Sequence, residues 1–460
     1  VKRTLFILTI VLLLTPMSAV AAIEPQARKL TLQECISIAL KNATQVKKAE
    51  NNLRLEGADL LKSYGSFLPK VSATAGYVPR SVNRSYSSSI SGSLYGDKVK
   101  TESESVNLGV TASLNIFNGL SDYAALRSAI DLKHAAGLSL QRARESIVFD
   151  ITQHYYQALL DRELLGIARE NLNSSSDLLT LTDRQYQIGL KSLTDLYQQQ
   201  AEVASNSLTA IKADNQARKS VSELLRRLRI DPMTPIDIEP IDTSSSSSVR
   251  VSVDADSLTT LSMKRRADLE AGRLETDAAR WQVRKAAGNR LPKLDLAFSA
   301  SSDGTNFLKY NGTDYTSYYP PLSTQLENGV GYMVSLNLNW SIFDGFLTRY
   351  SVESAKVALL NRRLDYEELK DGVVLDIRQT AADYRAAFTQ LEAAKASLRA
   401  ASSAFSAVQR KYELGASGFV ELSAARATLF NAKSGLTQAA YNLALQKALL
   451  DYTSGKAVSE

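Results

Sequence analysis

Two stretches of the chain alternate apolar and polar residues. Val330, Tyr332, Val334, Leu336, Leu338, Trp340 and Ile342 occupy one phase, while Gly331, Ser335, Asn337, Asn339 and Ser341 occupy the other. Earlier, Leu108, Val110, Ala112, Leu114 and Ile116 alternate with Asn107, Gly109, Thr111, Ser113 and Asn115. Period-two patterning predicts strands with one apolar and one polar face. Each stretch has a partner that begins after a Leu-Pro-Lys motif: Val71, Ala73, Ala75 and Tyr77 in one case, Leu294, Leu296, Phe298 and Ala300 in the other. Four strands are therefore expected.

After each second strand the period changes. From Leu120 to Arg184, and again from Phe346 to Tyr412, no proline interrupts the chain. A helix of some 60 residues is roughly 90 Å long, more than a compact domain needs. A seven-residue row runs along both: Ile151, Ala158, Leu165, Leu172, Leu179 and Tyr186 in the first, Ile377, Tyr384, Leu391, Leu398, Phe405 and Tyr412 in the second. Val374, Ala381 and Phe388 add the alternate heptad position before Lys395 and Ser402 interrupt it. Such spacing predicts helices packed side by side with a shallow supercoil, as in a coiled coil.

These rows are copies of each other. Ile116-Phe117-Asn118-Gly119 returns as Ile342-Phe343-Asp344-Gly345, and Arg184, Tyr186, Gly189, Asp195 and Leu196 return as Arg410, Tyr412, Gly415, Glu421 and Leu422, always 226 positions on, as 116 against 342 shows. Leu68-Pro69-Lys70 and Leu291-Pro292-Lys293 match at a slightly smaller offset. The chain thus divides into a first repeat at 23–230 and a second at 255–460. Between them lies a Pro/Ser-rich stretch, 231–254, with Pro232, Pro235, Pro240 and the run Ser244 to Ser248, a composition suited to an exposed connector. Each half reads helix, strand, loop, strand, very long helix, tight turn, long helix. The fold class is mostly α with β, in duplicated halves.

Alternation alone does not separate a soluble sandwich from a membrane barrel. The inventory favours the barrel, because nothing apolar is left to form a second sheet, and Asn, Ser and Thr on the polar faces suit a wet lumen. Four strands cannot close a barrel, and an open edge in lipid leaves backbone groups without partners. Several copies must share one barrel; two would supply eight strands and three twelve.

Composition narrows the function by exclusion. The N-terminus carries Lys2-Arg3, an apolar run from Leu5 to Leu14, Pro16 and Ala19-Val20-Ala21-Ala22, the pattern of a secretory signal peptide over 1–22. No later segment offers the apolar length of a transmembrane helix. The net charge of +6 falls to about +4 without Lys2 and Arg3 and includes no basic block, so nucleic acid is not an expected partner. Cys35, the one cysteine, supports neither a disulfide framework nor a lipid anchor. His134 and His154, the only histidines, sit twenty residues apart in one helical segment, without metal-ligand spacing or a nucleophile beside them. No phosphate-binding glycine loop occurs. An enzyme is not expected, and no cofactor or metal is expected.

The signal segment, the duplicated halves, the Phe-Asn-Gly and Phe-Asp-Gly strand ends and the Tyr-x-x-Gly turns together resemble the TolC family of outer membrane factors, over nearly all of the chain. The resemblance implies a homotrimer: a shared 12-stranded transmembrane β-barrel in outer-membrane lipid, continued by a trimeric α-helical barrel across the periplasm. It implies a passive exit duct of a tripartite efflux pump or type I secretion system, with a periplasmic adaptor (membrane fusion protein) and an inner-membrane pump or ABC-type exporter as partners. Gly119 and Gly345 then relieve the steric limit at strand-to-helix turns.

The turns "YQIGLKSLTDL" (186 to 196) and "YELGASGFVEL" (412 to 422) resemble the periplasmic tips of that family. Gly189 and Gly415 fit left-handed helix ends, with Ser192 or Thr194, and Ser417, as caps for the helices that follow. The resemblance assigns adaptor docking to Tyr186, Gly189, Leu190 and Gly415, and a pore constriction or gate to Asp195, Tyr412 and Glu421. Repeated around an axis, such carboxylates form rings that favour cations. Asp195 and Glu421 equally suit the first turns of helices. Ser417 departs from the arginine of some relatives, and Ala424 stands where a second acidic ring occurs. The loops 80–98 and 311–329, rich in Ser, Gly and Tyr, read as surface loops, with Tyr315, Tyr318 and Tyr319 in an interfacial girdle or at the mouth. A periplasmic coiled-coil scaffold and a stand-alone porin are the rival readings.

Overall fold

The structure, a computed structural model, describes residues 28–86, 98–234, 236–241 and 254–456. The signal segment, Pro235, the run Ser244 to Ser248 and residues 87–97 of the first inter-strand loop lie outside the described residues. The first half comprises β1 (Arg28–Leu30), α1 (Leu32–Asn42), α2 (Thr44–Gly65), β2 (Lys70–Tyr86), β3 (Lys98–Asn118), α3 (Ser121–Gln187) and α4 (Leu193–Leu228). The second comprises β4 (Ile236–Ile238), α5 (Ala255–Arg265), α6 (Ala267–Gly288), β5 (Lys293–Tyr310), β6 (Thr313–Asp314), α7 (Leu322–Asn328), β7 (Gly331–Asn339), α8 (Leu347–Glu413) and α9 (Phe419–Thr453).

The duplication extends to the element ends. Both ends of α1 and of α2 recur in α5 and α6 with a shift of 223, as 44 against 267 shows, and both ends of α3 recur in α8 with a shift of 226, as 121 against 347 shows. At 67 residues each, α3 and α8 are about 100 Å long. In both, part of the heptad row is buried: Ile151 and Ala158 in α3, and Ile377, Tyr384, Leu391 and Tyr412 in α8, whereas Tyr186 at the end of the first row is exposed.

The four long strands form one antiparallel sheet in the order β2-β3-β5-β7, with β6 a two-residue addition beside β5. The register aligns the apolar phases. Val71 lies opposite Ala112, Ala112 opposite Phe298, and Phe298 opposite Val334, so one row of apolar side chains crosses the sheet. Ser72, Thr111 and Ser299 align on the other face. Among the described residues no protein layer covers the apolar face: Val71 is 68 % exposed, Val334 70 % and Leu338 69 %. On β3 the apolar phase spans about ten residues, the length of a tilted membrane-crossing strand.

Two details depart from simple alternation. The pairing of β3 with β5 skips Ile116, so Phe117 rather than Ile116 stands opposite Leu294; a bulge inserts one residue and resets the phase. Above the apolar band, the segment 311–329 is more than the surface loop its composition suggests. It contains β6, a single 3-10 turn at 316–318, and α7, which docks back on β5. Ser302 donates to the Leu326 carbonyl at 2.6 Å, and the Thr305 amide donates to Gln325 Oε1 at 3.0 Å, so polar groups at the margin of the apolar band find partners within the chain.

Both strand-to-helix turns use two consecutive left-handed residues, Gly119 (φ 69°) with Leu120 (φ 64°), and Gly345 (φ 64°) with Phe346 (φ 69°). Glycine accepts this backbone freely, whereas Leu120 and Phe346 carry a cost of about 1–2 kcal/mol each. The polar residue of each motif offsets part of it. Asn118 Oδ1 accepts from the Asp122 amide at 3.2 Å and Asp344 Oδ2 from the Thr348 amide at 2.8 Å, so each caps the next helix across the turn.

The helices near the sheet repeat its order: α3 packs between α2 and α6, and α6 between α3 and α8. Further along, α4 returns against α3 and α9 against both α8 and α3. Midway, β1 and β4 pair in parallel. Leu30 and Ile238 are buried there with Cys35, Ile151, Leu225 and Tyr441, and the Tyr155 hydroxyl lies 2.7 Å from the Glu239 carbonyl and 3.1 Å from that of Leu30. The stretch 231–254 is thus not exposed throughout. Ile236 and Ile238 are the apolar positions that draw part of it back onto the core. No helix among the described residues is long and apolar enough to cross a membrane.

Candidate functional site

The ends of α3 and α8 farthest from the sheet have one construction. Gly189 (φ 77°) and Gly415 (φ 74°) follow the helices in the left-handed region. The Gly189 amide donates to the Tyr186 carbonyl at 2.9 Å and the Leu190 amide to that of Gln185 at 2.8 Å; Gly415 bonds Tyr412 at 3.1 Å and Ala416 bonds Lys411 at 2.8 Å. This double closure satisfies the last helical carbonyls with a glycine at its left-handed corner.

The restarts differ. In the first tip Ser192, not Thr194, caps α4: the Asp195 amide donates to Ser192 Oγ at 3.1 Å, while the Asp195 carboxylate accepts from the Ser192 amide at 3.2 Å and hydroxyl at 2.8 Å. Asp195 therefore closes a reciprocal capping box. In the second tip Gly418 occupies the capping position with no side-chain bond, contrary to the expectation for Ser417. The Ser417 hydroxyl instead donates to Glu421 Oε2 at 2.7 Å, and Glu421 stays exposed. The acidic positions of the two repeats thus differ: one carboxylate is committed to the backbone, the other is held by a single hydroxyl.

The tips touch. Lys191 Nζ lies 4.0 Å from the centre of the Tyr412 ring, an ammonium over an aromatic face. Tyr412 is 6 % exposed and packs with Phe419, Leu422, Leu178, Phe405 and Val408. Its hydroxyl has no hydrogen-bond partner within the described chain. Tyr186, its counterpart, is 38 % exposed, so equivalent positions face different surroundings. Ile188, Leu190, Leu414 and Val420 are exposed at the tips, forming an apolar end surface of which only Leu190 was expected from the sequence.

Behind the tips lies a buried polar cluster that sequence reading missed. Arg426 of α9 pairs with Glu202 of α4 at 3.4 Å, and Ser423 donates to the same carboxylate at 2.7 Å. Gln199, fully buried, donates to the Ser175 carbonyl at 2.7 Å. Burial pushes the Arg426 guanidinium down from its ordinary pKa, only partly countered by Glu202. A cleft of about 500 Å³ lined by Asp177, Leu181, Tyr412, Glu413 and Arg426 opens beside the cluster. The one available signal was Arg426 falling at helical spacing among the apolar residues Phe419, Leu422, Leu429 and Phe430 of α9.

The whole arrangement is an open sheet with a bare apolar face, continued by rods that end in paired glycine turns. The outer membrane efflux protein family model matches residues 35–228 and 258–455, one segment per repeat. The chain belongs to the outer membrane efflux protein family. It is 22 % identical over 383 residues to outer membrane protein TolC of Vibrio cholerae, covering 83 % of this chain and 81 % of the relative. To outer membrane protein TolC of Escherichia coli it is 25 % identical over 350 residues, 74 % of this chain and 68 % of the relative. The fold matches the CmeC outer membrane channel of Campylobacter jejuni with a TM-score of 0.77 at 16 % identity, over 93 % of this chain and 87 % of that one. This family member is accordingly an outer-membrane efflux channel protein whose helical part extends into the periplasm, with a helical barrel joined to a β domain.

Proposed function

We propose that three copies of this chain form a passive exit duct, each supplying four strands to a closed 12-stranded barrel in outer-membrane lipid and its helices to a periplasmic tunnel. The carrying observation is the sheet itself: an apolar face without cover and edges at β2 and β7 that pair with nothing among the described residues. Lipid solves the first problem and neighbouring copies the second. The apolar tips around Gly189, Leu190 and Gly415, with Tyr186, dock a periplasmic adaptor, which joins the duct to an inner-membrane pump or ABC-type exporter that supplies the energy. Glu421, exposed and tethered among the described residues only by Ser417, faces the pore near the tip as a threefold acidic ring, with Asp195 as a capping residue of the other turn; Tyr412 belongs to the closed constriction. The signal segment 1–22 directs export, and the repeats 23–230 and 255–460 are the two structural units.

Mass measurement by light scattering of the detergent-extracted protein tests the assembly. A trimer supports the reading; a stable monomer inserted in lipid removes it. Single-channel recording separates duct from porin: a closed or small conductance at rest fits a gated duct, and large, constantly open currents fit a free-standing pore.

A further inference from the structure

We propose that the ends of β2 and β3 beyond the apolar band bind the phosphorylated sugar headgroup of an outer-leaflet glycolipid through a basic patch of Arg80, Arg84, Lys98 and Lys100. The inference rests on the apolar face of the sheet lying in lipid, and adds a specific ligand to that contact.

The register decides which face these residues occupy. From Lys98 to Asn115 β3 pairs without an inserted residue of its own, so Leu108, Val110 and Ala112 in the band share a face with Glu104, Glu102, Lys100 and Lys98 above it. β2 inserts one residue between Val78 and Ser81, which moves this face from Ala75 and Tyr77 to Val82, Arg84 and Tyr86. Arg84 therefore stands opposite Lys100, on the face that meets lipid lower down. Arg80 joins them: its Nη2 lies 2.9 Å from Glu102 Oε2, and Lys100 Nζ lies 2.6 Å from Glu102 Oε1.

The charge is one-sided. Glu102 is buried beneath its two partners, while Arg84 and Lys98 are exposed and form no ion pair among the described residues. Four cations against one carboxylate leave an excess of positive charge on this face. On the opposite face of the same hairpin, Ser81 pairs with Ser103, Asn83 with Thr101 and Ser85 with Val99, and none is charged. Solvation alone would be served by charge on either face. The neighbouring strand does not cancel the excess, because Lys309 stands between Glu102 and Asp314, and Glu104 is bonded to Asn306 and Tyr77.

Height selects the kind of headgroup. Tyr77, opposite Val106 and 61 % exposed, donates to Glu104 Oε2 at 3.4 Å, a ring in the apolar band with its hydroxyl at the polar margin. From Val106 to Lys100 the strand climbs about 20 Å along its length, or about 14 Å in height at a tilt of about 45°. The polar layer of a phospholipid leaflet is only about 5–8 Å deep. A phosphate carried on a sugar framework reaches the patch, and the long cationic side chains reach down towards it. Arg80 and Arg84 supply the planar forks that bind phosphate by two bonds.

The test uses the full-length protein purified in detergent, with fluorescent lipid A, the phosphorylated anchor of lipopolysaccharide, as the probe. Each cation near an anionic surface is worth about fivefold in affinity. Arg84→Gln with Lys98→Gln is therefore expected to bind about 25-fold more weakly. Arg80→Gln, Lys100→Gln and Glu102→Gln together remove one net charge without stranding the carboxylate, and should bind about fivefold more weakly. Mass by light scattering and helical circular dichroism should stay unchanged in both. Lys212→Gln with Lys219→Gln, two exposed lysines of α4, should bind as the unchanged protein does. Undiminished affinity in the Arg84 and Lys98 variant overturns the patch, as does equal affinity of the unchanged protein for dephosphorylated lipid A. Displacement of lipid A by equimolar inorganic phosphate overturns the lipid as the source of the phosphate. No binding of lipid A in either form, by protein that stays in solution without detergent, removes the lipid-facing sheet as well.

Discussion

Nη1 of Arg426 lies 3.4 Å from Oε1 of Glu202, joining α9 to α4 with Arg426 only 4 % exposed. Removing one member of such a pair strands the other, at a cost of about 3–5 kcal/mol, while replacing both with apolar groups is often tolerated. Glu202→Ala is expected to lower the thermal midpoint of the purified protein markedly, and adding Arg426→Met to restore much of it. Circular dichroism melts of the two variants check this. A double variant no better than the single one would mean that the cluster is held by its other polar bonds.

A second pair should make stability depend on acid. Asp268 Oδ2 lies 2.6 Å from Arg266 Nη2, and Oδ1 accepts from Arg266 Nε at 3.0 Å. Burial pushes the Asp268 carboxyl up, but these bonds and the charges of Arg266 and Arg142 outweigh it and hold it below its ordinary 3.8. A lowered folded pKa means stability fully present above the ordinary value and lost as pH falls through the folded one. Asp268→Asn should therefore melt earlier at neutral pH and converge with the unchanged protein in strong acid. A gap that stays constant across the acid range would assign the effect to packing.

The capping role of the motif residues predicts a graded response. Asp344→Ala removes the acceptor for the Thr348 amide and is expected to cost about 1 kcal/mol, whereas Asp344→Asn, the choice made at Asn118, should cost little. Hydrogen exchange at the first turn of α8 measures it: faster exchange in the alanine variant only.

At the tips, Glu421→Gln is expected to reduce cation preference and block by multivalent cations in planar bilayers, as follows from removing an acidic ring. Unchanged selectivity would take Glu421 out of the pore. Asp195→Asn should act mainly on the stability of α4, because the carboxylate is bonded to Ser192.

The regular parts of this fold were legible because the period of the apolar pattern is long and uninterrupted. The start of α3 at Ser121, rather than at Leu120, follows from the left-handed pair that the glycine introduces. What local pattern could not supply was tertiary partnership. The bulge at Ile116 appears only when β5 is beside β3, and β1 is too short to announce itself without β4. Gln325 ties α7 to β5 by accepting from the Thr305 amide, a contact 20 residues apart in the chain that local periodicity does not contain. At the tips, Gly189 and Gly415 were readable from spacing. The divergence of Asp195 from Glu421 was not, because it depends on whether a serine or a glycine starts the next helix.

The equal lengths of α3 and α8 restrict how such a chain can change. Each residue added to one rod lifts its tip by about 1.5 Å and turns it by about 100°, which would pull Lys191 away from Tyr412 and leave the two ends at different heights. Lengthening therefore has to occur in both rods together and in whole heptads, so that the reach of the molecule varies in steps rather than continuously.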